Sequence, residues 1–306
     1  DFVTKICCLL NTKKQKKKKR RMERLIFFYS FVCFLLVISP SFCYSFVNHL
    51  CSPTEAFALL QFKQTIEIND FNSLYCDFSF PKTESWNESR DCCTWDGVTC
   101  DLLTGHVIGL DLNCSQLGGT IHPNSTLFQL HHLHTLNLAY NDFNNSLIPN
   151  GIGRLRNLRH LNLSHSFFAG EIPTEISYLS KLVSLVLSHP TWMYASKLDQ
   201  RTFETVLQNL TNLEVVSVSR INISSPLPVN ISSSLRYLDL TDTNLLGVLT
   251  ESFSLPPNLE NLILRGNDLL KGVLPKIHSS STLLELDISY TGISGELPYS
   301  IGNLSS

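Results

Sequence analysis

Six cysteines follow residue 45: Cys51, Cys76, Cys92, Cys93, Cys100 and Cys114. An even set in a chain that opens with a secretory leader points to oxidation into disulfides. Their spacing leaves the connectivity open. Zinc ligation by Cys92, Cys93 and Cys100 is the rival chemistry, and an oxidising route disfavours it. Histidines supply a second metal-type pattern, His131-His132-Leu133-His134. Register argues against a metal there. His131 and His132 are spacers between Leu130 and Leu133, and His134 flanks a strand, so all three read as surface residues. His165 and His189 hold the same outer position of successive strands, where a small pH-sensitive patch would form. One position used twice is thin support, and chance is the preferred account. GxSxG, HExxH, P-loop and GxGxxG patterns are all missing, so neither catalysis nor a cofactor or metal is expected.

Nine Asn-x-Ser/Thr sequons add a modification chemistry: Asn87, Asn113, Asn124, Asn144, Asn162, Asn209, Asn222, Asn230 and Asn303. Asn113 is set aside, because bridging of the adjacent Cys114 competes with glycan transfer. Asn162 sits between Leu161 and Leu163, on a strand face where a glycan would block a ligand.

A repeat must position these groups. Between Gly153 and Pro173, Leu155, Leu158, Leu161 and Leu163 are spaced by three, three and two residues, followed by Phe168, Gly170, Ile172 and Pro173. Spacing near three suits a helical turn and spacing of two a strand. The two-residue core returns at Leu110/Leu112, Leu136/Leu138, Leu161/Leu163, Leu185/Leu187, Val216/Val218, Leu238/Leu240, Leu262/Leu264 and Leu286/Ile288, with starts 22 to 31 residues apart. A unit this short cannot bury its own leucines, so they leave water only by stacking on the next turn. Parallel strands about 4.8 Å apart would build a face roughly 40 Å long. Gly170 and Pro173 suit a tight, irregular convex turn. The unit after Leu185 is 31 residues long and carries Trp192 and Tyr194. A recognition bulge is one reading of it, and a variant convex loop whose Trp fills a core gap is the preferred one.

After each strand comes a column that holds Asn only at Asn141 and Asn267. Ser115, Ser166, Ile221, Thr243 and Thr291 stand there elsewhere, and Pro190 interrupts it. Asn in such a column bonds backbone across turns, so weaker bonding is expected through the middle.

Register also defines the concave surface. Its larger polar and aromatic positions are Tyr140, Arg159, His165, His189, Arg220, Arg236, Tyr237, Asp239, Arg265, Asp287 and Tyr290. Such a mixture suits a protein or peptide ligand better than an enclosed small molecule.

Residues 1–21 are low in complexity and basic, and read as translated leader ahead of Met22. Residues 22–45 read as a signal peptide: a charged start, an apolar run from Leu25 to Ile38, Pro40, and Cys43 and Ser45 at the cleavage positions. A signal anchor is the alternative. The whole chain carries a formal charge of −2, but residues 1–45 hold ten basic and two acidic side chains. The rest therefore balances 14 basic against 24 acidic residues, or −10. That argues against nucleic acid as a partner. Residues 46–109 read as a cap, in which Ser52-Pro53-Thr54-Glu55 forms a capping box ahead of an apolar helix. Residues 110–306 are the repeats, the last cut short at Ser306, so the chain is expected to be part of a longer product.

The repeat frame resembles the plant extracellular leucine-rich repeat, LxxLxxLxLxxNxLxGxIP. The segment Trp86 to Leu112, with Asp91-Cys92-Cys93 and Trp95-Asp96-Gly97-Val98-Thr99-Cys100, resembles the N-terminal cap of plant leucine-rich-repeat ectodomains. The resemblance implies an α/β solenoid, a right-handed superhelix with a parallel sheet on its concave face and a disulfide-bonded cap. It also implies the pairs Cys51–Cys92 and Cys93–Cys100, leaving Cys76 with Cys114. That last pair, and an insertion like Asp70 to Thr83, resemble the Cf-type disease-resistance receptor-like proteins. Similarity to them implies recognition of pathogen- or host-derived ligands at the plasma membrane, on its extracellular side. Leucine-rich-repeat receptor kinases would be the signalling partners, and the membrane would be reached only through a segment missing from this chain. A secreted inhibitor resembling the polygalacturonase-inhibiting proteins, placed in the apoplast, and the ectodomain of a receptor kinase are the alternatives. If the six cysteines are fully paired, the secreted chain should show no free thiol when denatured without reductant. Stoichiometric thiol in that titration would exclude three bridges.

Overall fold

A leucine that must be buried against the next turn requires every turn to stack in the same register. The computed structural model describes residues 51–69, 76–190, 196–250 and 253–303. The expected leader and signal peptide, residues 1–45, and Trp192 and Tyr194 lie outside the described residues. From Leu50 to Ser306 the chain forms one unit, a leucine-rich-repeat solenoid. Its main sheet has nine strands. Val98–Cys100 pairs antiparallel with Val107–Asp111, and the latter starts a parallel run. Thr135–Asn137, His160–Asn162, Ser184–Val186, Val215–Ser217, Tyr237–Asp239, Asn261–Ile263 and Glu285–Asp287 follow in chain order. The repeat markers face one another directly: Leu110, Leu136, Leu161, Leu185, Val216, Leu238, Leu262 and Leu286 form one row of partners. All but Leu286, at the far end, are buried. Eight strands are expected from the markers, and the cap supplies the ninth.

The convex tails are more regular than an irregular turn. Gly247–Leu249, Leu270–Gly272 and Gly292–Ile293 pair as a second parallel sheet, and Gly170–Glu171 pairs with Ser196–Lys197. Glycine is needed for this approach at Gly272: its φ is +116°, and a Cβ there would lie 2.0 Å from the Leu249 carbonyl oxygen. Between the sheets run short 3-10 turns, Thr126–Gln129, Asn150–Arg154 and Thr174–Tyr178, the last two entered from Pro149 and Pro173. The long unit replaces its 3-10 turn with an α-helix, Gln200–Asn209. Asp199 caps it by accepting the Thr202 N–H at 3.1 Å, and Phe203, Val206 and Leu207 turn into the core. This helix is not among the sequence expectations, although the spacing of those three apolar residues after an Asp is a signal that could have found it.

At the other end, the helix α1, Pro53–Thr65, lays Ala58, Leu59 and Phe62 on the first repeat. Thr126 Oγ1 donates to the Ala58 carbonyl at 2.7 Å. Cys51 is bridged to Cys92, Cys76 to Cys114 and Cys93 to Cys100. Trp86 and Trp95 stack 5.6 Å apart beneath them, with Trp86 Nε1 donating to the Asp96 carbonyl. The expected capping box does not form. The Ser52 hydroxyl meets Thr54 Oγ1, and the Ser52 N–H goes to the Gly105 carbonyl. Glu55 turns inward to accept the Val107 N–H at 2.9 Å, because burial against the first strand offers it a donor that water cannot reach.

The side-chain column behaves as its residue types dictate. Asn141 Oδ1 accepts the Ser115 and Leu117 N–H groups, and its Nδ2 donates to the Leu112, Leu138 and Ala139 carbonyls. Asn267 repeats the pattern on Thr243, Leu245, Leu240 and Leu264. Ser166 manages only the Leu138 and Ser164 carbonyls, and Ile221 is an apolar filler. A buried N–H left without an acceptor costs about 1–3 kcal/mol. Asn141→Ala should therefore destabilise the unit by about 3 kcal/mol and Ser166→Ala by about 1 kcal/mol. Urea-unfolding midpoints of the two variants give the comparison.

Candidate functional site

Each strand presents its first and third residues outward around a buried leucine, as alternation requires. Tyr237, Asp239, Asn261, Glu285 and Asp287 reach the concave face this way. They are held by one another: Asp239 accepts the Ser217 hydroxyl at 3.0 Å and the Thr241 N–H at 3.0 Å. Asn261 Nδ2 donates to Glu285 Oε2 at 2.6 Å, and Arg236 pairs with Glu260. Burial, with the charges of Asp239 and Glu285, pushes the Tyr237 hydroxyl up from its ordinary range. The Ser289 hydroxyl and N–H hold the Asp287 carboxyl below the usual value.

Just beyond the strands a second column turns left-handed. Tyr140, His165, Arg220, Asp242 and Tyr290 have φ between 54° and 58°. Ordinary side chains avoid that region, and at Tyr140, His165, Arg220 and Asp242 it goes with a backbone bond to the next turn. The N–H of Tyr140 reaches the Ser164 carbonyl at 3.0 Å, that of His165 the Ser188 carbonyl at 2.7 Å, and that of Arg220 the Thr241 carbonyl at 2.9 Å. The inter-turn ladder thus runs past the strand ends, and the same turn aims these side chains along the rim. Tyr140 stacks on His165, with ring centres 4.7 Å apart and planes 6° apart. Arg265 lies over the Tyr290 ring at 5.0 Å. Gly266 takes the column's place in its turn, and a Cβ there would meet Asp242 Oδ1 at 1.9 Å. Burial raises the Asp242 carboxyl despite the opposing pull of Arg220 and Arg265.

His189 departs from the sequence reading. It is 4% exposed and packs edge-on to Phe167 with ring centres 6.2 Å apart. Pro190 follows it, and a residue before proline is pushed to extended backbone. His189 accordingly skips the left-handed turn and points into the core, so it offers no surface to a ligand. The remaining candidates form two groups. Tyr140, Arg159 and His165 lie toward the cap, and Arg220, Arg236, Tyr237, Asp239, Arg265, Asp287 and Tyr290 lie beyond the long unit. Asp242 sits between Arg220 and Arg265, and its importance shows only once the column is seen in three dimensions. Among the sequons, Asn124, Asn144, Asn209 and Asn230 are exposed, whereas Asn87, Asn162 and Asn222 are half-buried. Asn162 is on the concave strand, its Oδ1 accepting the Ser164 N–H and hydroxyl. The Asn303 side chain lies outside the described residues. His132, assigned to the surface, is half-exposed but engaged with Glu55 and His106 of the cap.

Comparison with known proteins agrees with this geometry. Residues 52–101 match the leucine rich repeat N-terminal domain, and residues 132–155, 157–179 and 282–304 match the Leucine Rich Repeat. In the solved structure of PEPR1-AtPEP1, the matching chain superposes with a TM-score of 0.59 at 25% identity, covering 82% of this chain and 36% of that one. Fold and family matches define a capped leucine-rich-repeat domain. Receptor-like protein 6 of Arabidopsis thaliana is 42% identical over 88% of this chain and 29% of its own length. Receptor-like protein Cf-9 of Solanum pimpinellifolium is 43% identical over 91% and 32%. The chain belongs to the plant leucine-rich-repeat receptor-like proteins, and it spans about a third of the length of these relatives.

Burial, then the nearby charges of Arg220 and His189, depresses the His165 imidazole below its ordinary value of 6.5. The unfolded chain therefore binds the proton more readily, so His165 favours folding above about pH 6.5 and opposes it as pH falls through that value. Thermal midpoints should drop between pH 7 and pH 5, and His165→Gln should flatten part of that slope.

Proposed function

We propose that this chain is the ligand-recognition part of a cell-surface receptor-like protein, working in pathogen perception and defence through partner receptor kinases. The observation that carries the reading is the left-handed column. It costs backbone strain at five non-glycine positions, and in return it presents Tyr140, His165, Arg220, Asp242 and Tyr290 along one open rim. A rim of stacked aromatic and guanidinium groups beside half-buried carboxylates suits an extended protein or peptide partner of mixed charge. The relatives are receptor-like proteins by name, which supports the same reading. So does the likeness to PEPR1-AtPEP1. Entry to the secretory pathway through residues 22–45, glycans on the exposed sequons and an extracellular position complete the proposal. No helix among the described residues is long and apolar enough to cross a membrane.

Arg220, Arg265 and Tyr290 belong to the half of the face without an intervening strand sequon, and they are the residues assigned the main contacts. Immobilised ectodomain screened against proteins and peptides from infected leaf apoplast should retain a discrete ligand. Tyr290→Ala and Arg265→Ala should each weaken that ligand by about 2 kcal/mol, or roughly thirtyfold, while Arg154→Ala, an exposed residue on the convex side, should not. Equal binding by all three variants would place the site elsewhere. Stoichiometric inhibition of a fungal polygalacturonase would favour the inhibitor reading instead.

A further inference from the structure

The cap buries one carboxylate, that of Glu55 in the first turn of α1. Glu55 Oε2 accepts the Val107 N–H at 2.9 Å and lies 3.4 Å from His106 Nδ1. Glu55 Oε1 lies 3.1 Å from His132 Nδ1. The two imidazoles stack, with ring centres 3.6 Å apart and planes 19° apart. The donor atoms of all three residues fall within 4.8 Å of one another. Three elements bring them together: α1, the turn into the strand Val107–Asp111, and the loop between the 3-10 turn Thr126–Gln129 and the strand Thr135–Asn137. The Glu55 side chain is 8% exposed, whereas those of His106 and His132 are 36% and 48% exposed. The carboxylate is therefore fixed by the fold, while the rings border solvent and leave a path of entry.

Donor chemistry and spacing point the same way. Two imidazole nitrogens and a carboxylate oxygen are a ligand set taken by zinc-type divalent ions and refused by calcium and magnesium, which prefer oxygen alone. Neighbouring ligands around an ion with bonds of about 2.1 Å stand roughly 3.0–3.4 Å apart, and both nitrogen-to-carboxylate distances lie at that spacing. The Val107 N–H on Glu55 Oε2 is the outer support that orients a ligating carboxylate. The other cluster of metal-type residues, Cys51, Cys92, Cys93 and Cys100, is consumed by two disulfides.

We propose that Glu55, His106 and His132 bind a divalent transition-metal ion of the zinc type. Two stacked rings cannot both hold one ion in their planes, so the exposed His132 ring would turn out of the stack. Each neutral imidazole would then ligate through Nδ1 and carry its proton on Nε2, with Glu55 supplying the negative charge and water completing the coordination at the exposed side. Such an ion cross-links the cap helix to the first strand and the first repeat, the junction on which the rest of the stack is built. The inference uses nothing on the concave face and stands apart from the proposed receptor role.

The test uses the secreted chain, stripped with chelator, and zinc itself as the probe. Calorimetry should find one zinc per chain, and thermal unfolding should shift upward with added zinc. His132→Gln and Glu55→Gln should each weaken zinc by at least about tenfold and abolish the shift. His131→Gln, one residue away but outside the cluster, should bind as the parent does, and calcium should give no shift. Failure to bind zinc stoichiometrically, or undiminished binding by His132→Gln, overturns the proposal. If metal-free His132→Gln does not fold, His106→Gln carries the same comparison.

Discussion

The stack depends on one requirement, that equivalent apolar residues of successive turns meet without a slip. Leu110 through Leu286 form a single row across the parallel sheet. A shift of one residue would turn that row to solvent and the polar flanks inward. The hydrogen bonds that keep the register do not stop at the strand ends. They continue through Tyr140, His165, Arg220 and Asp242, whose left-handed turns hand the N–H of one unit to the carbonyl of the next. The side chains of the proposed recognition rim are therefore placed by the same bonds that hold the solenoid together.

Each end of such a stack exposes a strand edge and a layer of leucines. At the first repeat the cap answers both problems. Val98–Cys100 pairs antiparallel onto the edge, and α1 covers Leu127 and Phe128. Three bridges tie the cap's loops together, because a segment of this size buries too little apolar surface to hold itself. Among the described residues Glu55 is the buried carboxylate of that junction, and its partners arrive from both sides of it. In the middle of the stack the side-chain column weakens at Ile221. There the backbone ladder continues through Leu187 and His189, whose N–H groups reach Ser217 and Ser219.

Much of this was legible from residue types and spacing. The strand positions follow from paired leucines, the glycine turns from residues that tolerate positive φ, and the caps and breaks from Asp, Asn and Pro. Two readings failed where local chemistry competed with burial, and one element went unread. Ser52 and Glu55 have capping-box spacing, yet Glu55 found a better donor in Val107. His189 fits the outer column by count, but Pro190 denies it the turn. The helix Gln200–Asn209 was hidden inside a long unit, although Asp199 and the spacing of Phe203, Val206 and Leu207 announced it.

The sequence by itself determined the period, the strands, the concave face and the oxidising character of the cap, because each follows from spacing along the chain and the burial of apolar side chains. Only the tertiary structure decided which distant groups meet. Asp242 over Gly266, Arg265 over Tyr290, and Glu55 between His106 and His132 are contacts between residues 24 to 77 positions apart. Such contacts are set by how turns superpose in space, and no local pattern encodes that.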